Sequence, residues 1–241
     1  VAELFYDKVW VREPRLMVPG QKPVGRVRVD KRKYNITNWI TLPSATDLVT
    51  GEVSSISKNK DVENLPDSIQ SNYGYRIYNA NTINLSGGSA AKTIVVVCKM
   101  TPNESSYYGQ LYLKGSMGNV HILLSKTTMN ASTGSGNLTI TKQPSLSTGD
   151  IGVVVLGTDG HKKAWVRAYC KGVLVGEGSA VAAFDSIGNF NTYGVLSYWG
   201  FSREGYGTYH RMLDWYMIDT PFSESLAASI GSDPYQFLIP A

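Results

Sequence analysis

Apolar and polar residues alternate along much of this chain with a period of two, and the alternating runs are short. Thr93–Met100, Gln110–Lys114, Val120–Ser125, Asn137–Thr141, Ile151–Leu156, Lys163–Lys171, Val173–Gly176, Tyr193–Tyr198 and Tyr209–Ile218 read as strands rich in β-branched and aromatic residues. Between them, Gly115, Gly134-Ser-Gly136, Thr158-Asp-Gly160 and Lys171-Gly172 supply turn chemistry. Nine strands at this spacing predict two packed antiparallel sheets. No repeat of fixed period is present, which argues against a propeller or solenoid.

The pattern changes at both ends. Residues 1–35 read as an extended arm, because Pro14, Pro19 and Pro23 with Gly20 and Gly25 forbid a helix and interrupt any strand. Such an arm is expected to lie on a neighbouring subunit, with Pro14, Pro19, Gly20, Pro23, Arg26 and Arg28 as its candidate assembly residues. Residues 36–241 then form the β domain, with Asp47-Leu-Val-Thr-Gly51 as an early turn. Near the other end a single helix is predicted. Ser223 caps its first turn, Glu224 sits at its positive end, Leu226 and Ile230 share a face, Gly231 stops it and Pro234 prevents a restart.

Composition supports an all-β domain: only 17% of residues are charged, and Gly, Ser, Thr, Asn and Tyr are abundant. At 241 residues one such domain buries a full core. The net charge of +4 is modest, and the one basic cluster, Arg26-Val-Arg-Val-Asp-Lys-Arg-Lys33, mixes charge with alternating valines. It reads as a solvated strand edge, where cations discourage edge pairing, in preference to a nucleic-acid contact. No apolar run approaches the roughly 20 residues that span a bilayer. The first fifteen residues carry Glu3, Asp7, Lys8, Arg12, Glu13 and Arg15, so neither an anchor nor a secretory signal is expected in them. Cys98 and Cys170 sit in apolar strands and read as buried thiols acting as small hydrophobes, with a single bridge between neighbouring strands as the other reading. The Asn-x-Ser/Thr triplets at Asn35, Asn84, Asn103, Asn130 and Asn137 are little more than so Ser- and Thr-rich a sequence gives by chance.

The order of elements in the last third carries a family resemblance. A hairpin, Ala168-Tyr-Cys-Lys-Gly-Val-Leu-Val-Gly176, leads to the aromatic strand Met212-Leu-Asp-Trp-Tyr-Met-Ile218, then to the Ser223-capped helix and the tail Asp233-Pro-Tyr-Gln-Phe-Leu238. This resembles the concanavalin A-like lectin/glucanase superfamily in the laminin G-like form found in phage and prophage structural proteins. The resemblance implies a two-sheet antiparallel jelly-roll sandwich with an extended arm and one short helix. Lys171 departs from the family's Asp or Asn before the turn glycine, which predicts a turn other than the two-residue primed type. Leu226 replaces the Glu of a capping box, and Tyr235 replaces the family's tail Trp.

Candidate chemistry is sparse. Glucanases of this fold set paired carboxyl groups on one strand, yet no Glu-x-Asp-x-x-Glu spacing occurs, and Asp214, Glu177 and Glu204 stand apart. The chain is therefore expected to be non-enzymatic. His121, His161 and His210 have no metal-ligand spacing. No cofactor is expected; calcium is weighed at Asp159 and Asp185, against the reading of both as turn-forming residues. Sugar contact is expected on exposed aromatics that stack on sugar rings, Tyr198, Trp199, Phe201 and Tyr206 with Arg203 among them as a polar candidate, and on Tyr107 and Tyr108 second. The expectation is a homo-oligomeric virion protein, assembled in the host cytoplasm and docked on capsid or tail subunits, with glycans as further partners. The alternative is a carbohydrate-binding module or adhesin for a cell-surface glycan.

Overall fold

The computed structural model describes residues 19–58, 62–71, 74–84, 92–99, 109–115, 119–124, 129–133, 136–138, 151–158, 163–181, 189–196 and 211–241. Its strands are β1 (Val27–Val29), β2 (Ile36–Thr41), β3 (Thr46–Asp47), β4 (Ser55–Lys58), β5 (Val62–Asn64), β6 (Ile69–Ser71), β7 (Gly74–Asn84), β8 (Thr93–Lys99) and β9 (Gly109–Gly115). They continue with β10 (Asn119–Leu124), β11 (Met129–Thr133), β12 (Gly136–Leu138), β13 (Ile151–Thr158), β14 (Lys163–Cys170), β15 (Val173–Val181), β16 (Asn189–Leu196), β17 (Arg211–Ile218) and β18 (Leu238–Pro240). One helix, α1 (Glu224–Ser232), is present among the described residues.

The protein is thus mostly β, and its paired strands are antiparallel. A seven-stranded sheet runs β12-β11-β10-β9-β16-β7-β4, and a nine-stranded sheet runs β15-β14-β13-β8-β17-β2-β3 with β5 and β6 attached through β17. The sheets meet where β6 touches β7 and β12 touches β15. In the larger sheet β8 is flanked by β13 and β17, and its run TIVVVCK is buried on both faces up to Lys99. A central strand covered on both sides reads as continuously apolar, as this one does.

One face of that sheet presents Val95, Val97, Val153, Val155, Tyr169, Tyr216, Ile218, Ile36 and Trp39 to α1 and the tail. Leu226, Ala227 and Ile230 of α1, with Phe222, Tyr235, Phe237 and Leu238, close over them. Each fully buried Leu or Ile here contributes about 2 kcal/mol of transfer free energy. Trp39 stacks on Tyr216 at 4.0 Å with ring planes 5° apart, and Phe237 meets Tyr216 edge-on. The opposite face carries Ile94, Val96, Cys98, Val154, Leu156, Val166, Ala168, Cys170, Trp215 and Met217, all buried.

Several sequence expectations are met and two are corrected. Ser223 caps α1 by accepting a hydrogen bond from the Leu226 N–H at 3.2 Å. Gly231, however, lies inside the helix and does not end it; the cap residue is Asp233, in extended conformation. The reason for a glycine there is packing, since a Cβ would fall within the Tyr169 ring. The Lys171-Gly172 turn is the two-residue primed type after all: Lys171 (φ 51) and Gly172 (φ 77) are both left-handed, and Cys170 pairs with Val173. Cys98, Gly152 and Cys170 stand abreast on three neighbouring strands. Two strand spacings separate the cysteines by about 10 Å, beyond the reach of a disulfide, and both remain buried thiols.

Candidate functional site

From Pro19 onward the arm lies on this chain's own tail and sheet. The Gly20 N–H donates to Asp233 Oδ1 at 3.1 Å, with Gly20 in the left-handed region (φ 74). Asp233 Oδ1 also accepts from the Tyr235 N–H at 3.1 Å, so one carboxylate ties the arm to the turn that follows α1. Further along, β1 pairs with β18 in a two-stranded ribbon, which leaves Arg28 opposite Ile239. Arg26 and Arg28 are exposed, as the edge-strand reading expects.

Between these two anchors the arm carries a charge into the protein. The Lys22 ammonium donates to the carbonyl oxygens of Leu42 (2.7 Å), Leu213 (2.8 Å) and Asp67 (3.0 Å) and pairs with Asp214 Oδ2 at 3.1 Å. Asp214 is 1% exposed. Its Oδ1 accepts from the Trp39 indole N–H at 3.2 Å, and its Oδ2 accepts from the Tyr235 hydroxyl at 2.9 Å. Burial pushes the Asp214 carboxyl above its ordinary range, while Lys22, Thr41 and Tyr235 pull against that shift. Burial, with the nearby Asp214 charge, holds the Tyr235 hydroxyl well above the usual tyrosine range. Breaking a buried pair by removing one partner costs about 3–5 kcal/mol, because the other charge stays behind uncompensated.

Each cage oxygen is set by the fold. Leu213 is the extra residue of a bulge in β17, between Met212 and Asp214 in the register with β8, and its carbonyl also receives the Leu42 N–H at 3.0 Å. Asp67 sits in a turn closed by the Leu65 N–H to the Ser68 carbonyl, and its side chain pairs with Lys99 at 2.5 Å. Desolvation raises the Asp67 carboxyl, but the hydrogen bonds of Lys99 and Ser68 with the charges of Lys99 and Lys22 outweigh it, and the net shift is downward.

Above this network opens a pocket of about 900 Å³, within the range of small-ligand sites. Its walls are the arm from Gln21 to Val27, the segment after β2 (Leu42, Ser44, Leu48), Pro66 with Asp67, Lys99, Ile151 and the tail residues Tyr235 and Leu238. The lining mixes aliphatic surface with a paired cation and anion and the exposed Arg26, a setting for a polar ligand with apolar faces.

Sequence reasoning singled out Arg26, Pro23 and the lone Asp214, and the pocket brings these three together. It did not single out Lys22, Trp39 or Tyr235 for this network. The one signal was an Asp inside the apolar strand Met212–Ile218, which demands a buried partner. The sugar-contact candidates Tyr198, Trp199, Phe201, Arg203, Tyr206, Tyr107 and Tyr108, the calcium candidates Asp159 and Asp185, and Pro14 of the arm lie outside the described residues. No cluster of three metal-ligating side chains occurs among the described residues, and none of the described helices is long and apolar enough to cross a membrane.

No family model and no curated protein matches the chain. Solved structures do. Trypanosoma rangeli sialidase in complex with sialic acid matches with a TM-score of 0.55 at 13% identity, over 98% of this chain and 40% of that one. The same enzyme with 2,3-difluorosialic acid, a covalent intermediate, matches with a TM-score of 0.52 at 9% identity, over 82% of this chain and 32% of that one. Domain 4 of AbnA, a GH43 extracellular arabinanase from Geobacillus stearothermophilus, in complex with arabinotriose, matches with a TM-score of 0.52 at 12% identity, over 83% of this chain and 99% of that domain. The chain therefore spans well under half of the sialidase chains, and at these identities the likeness is one of fold: a sandwich-like β fold.

These matches correct one expectation. The chain was expected to be non-enzymatic because the glucanase carboxylate spacing is missing, yet its fold recurs within a sialidase and as a domain of an arabinanase. That spacing belongs to one arrangement on one strand. Carboxyl groups held about 5–9.5 Å apart can come from separate strands and loops, where no local motif records them. The missing motif is no ground for setting hydrolysis aside.

Proposed function

We propose that this chain is a glycan-binding β domain. The observation that carries the reading is the arabinanase domain, which this chain matches over nearly the whole of that domain's length and which was solved with arabinotriose. A sialidase solved with sialic acid supports the same ligand class. Two surfaces qualify for contact. The first is the set Tyr198, Trp199, Phe201 and Tyr206, with Tyr107 and Tyr108, whose rings suit the apolar faces of sugars, and Arg203, whose guanidinium can donate to hydroxyls. The second is the pocket beneath the arm, where Arg26, Ser44 and Lys99 offer donors beside aliphatic walls.

The test is glycan binding by the purified chain to an array that includes arabino-oligosaccharides and sialylated glycans. Binding is expected, and Trp199→Ala is expected to weaken it by about five- to 150-fold, equivalent to about 1–3 kcal/mol for one aromatic anchor. Binding to no glycan overturns the reading. The same samples are assayed for sugar release, which separates a binding domain from a hydrolase.

In its finer form the reading keeps the laminin G-like jelly roll and the phage particle, supported by the resemblance of the tail Asp233–Leu238 and of the Pro-Gly-x-Lys-Pro-x-Gly arm at Pro19–Gly25 to phage-encoded members of that family. There the domain docks on virion subunits as a homo-oligomer. Antibody labelling of purified particles tests this, and unlabelled particles overturn it.

A further inference from the structure

We propose that Lys22 is a tethered cation: its ammonium fills an oxygen cage, built by Leu42, Asp67, Leu213 and Asp214, that takes up a free monovalent cation of ammonium size once the arm's own charge is removed. The inference stands on the cage geometry and is independent of glycan binding.

Four oxygens converge on one nitrogen at 2.7–3.1 Å, three of them main-chain carbonyls and one a carboxylate. An ammonium has three N–H donors, one for each carbonyl, and its charge answers the carboxylate. Three hard carbonyl oxygens and one negative charge are also what a soluble cation needs from a protein site.

None of the four oxygens depends on the arm for its position. Leu42 and Leu213 are locked together by the Leu42 N–H to Leu213 carbonyl bond, Asp67 is held in its own turn, and Asp214 is fixed from the far side by Trp39 and Tyr235. They come from the end of β2, the turn before β6 and the bulge of β17, and so persist as an unfilled cage when Lys22 is truncated. Losing their shared cation leaves the buried Asp214 carboxylate uncompensated, which drives uptake of a replacement.

Size and charge select the replacement. The oxygens stand wider than the roughly 2.3–2.6 Å of calcium ligands, and a single carboxylate balances a single positive charge. Ammonium and potassium, which is close to it in radius, fit; tetramethylammonium is too large and has no N–H. In the native chain the tether gives the Lys22 ammonium an effective concentration on the order of millimolar or more, so the arm holds the cage against dilute cations. Closure of the arm over the pocket is, in these terms, the binding of an internal cation.

Thermal unfolding of the full chain carrying Lys22→Ala tests this in ammonium, potassium and tetramethylammonium chloride at equal ionic strength. The midpoint is expected to fall by about 6–20 °C in tetramethylammonium. Ammonium and potassium are expected to restore most of that loss, with saturation as their concentration rises, while the wild type unfolds at the same temperature in all three. A variant that is insensitive to the choice of cation, or as stable as the wild type, overturns the proposal. A second measurement needs no variant: nitrogen-15 spectra of the wild type are expected to show a lysine ammonium whose protons exchange slowly, and the absence of any such signal overturns the cage.

Discussion

At the scale of single residues, the fold places side chains where local preference would not. Lys171 adopts φ 51 at the first position of the β14–β15 turn, a conformation that costs an ordinary L-residue about 1–2 kcal/mol. The hairpin tolerates it because Gly172 takes the second left-handed position and the strands beyond pair as far as Lys163 and Val181, through one bulge at Ala168/Tyr169. Lys171→Asn is therefore expected to stabilise the protein by about 0.5–1 kcal/mol, read as a higher denaturant midpoint at unchanged m-value. The sequence flagged this position correctly as unusual and inferred the wrong remedy, a different turn; the chain keeps the turn and accepts the strain. Asp214 is the parallel case. A carboxylate between Leu213 and Trp215 announces a buried charge, but its partner Lys22 and its donors Trp39 and Tyr235 come from remote parts of the chain. No spacing rule links residues that meet only after the sheet has formed.

At the scale of elements, the strands carrying alternating or continuous β-branched and aromatic runs were legible to within a few residues. β8, β13, β14 and β17 fall where the alternation and the β-branched runs put them. β2 and β7 did not announce themselves, because ITNWIT and GYRIYNANTIN interleave Asn and Thr with their apolar positions and read as turn-rich. For α1 the start was legible and the end was not. A cap is a local hydrogen bond, between Ser223 and the Leu226 N–H, whereas Gly231 is required by the Tyr169 ring of β14. Gly231→Ala is accordingly expected to destabilise the protein by about 1–3 kcal/mol through overpacking, although alanine is the better helix former. Thermal unfolding checks this, since in a chain of this size each kcal/mol moves the midpoint by about 2–4 °C. An unchanged midpoint would return Gly231 to the role of a simple helix stop.

For the whole molecule, the decisive feature is that the centre of the nine-stranded sheet is buried on both faces, with α1, the tail and the arm forming a cover over one of them. Cys98 lies on the other face, its thiol pushed up to about 12 by desolvation and by neighbouring Cys170. Thiolate is the reactive form, so both cysteines are expected to resist alkylation in the native protein and to react together once it unfolds. Rapid labelling of either one without denaturant, followed by mass spectrometry, would contradict this burial. The likeness to a sialidase and to an arabinanase domain concerns the same whole, and at 12–13% identity it is a likeness of fold. By itself the sequence determined the β class, the turns at Asp47–Gly51 and Lys171-Gly172, the start of the capped helix and the apolar runs at the centre of the sheet, because each of these is written in residues near in the chain. Tertiary structure alone decided that the arm folds back on its own tail, that Lys22 meets Asp214 inside an oxygen cage, and that a pocket opens above them. Those facts are set by distance in space between segments almost 200 positions apart, a quantity that local patterning does not encode.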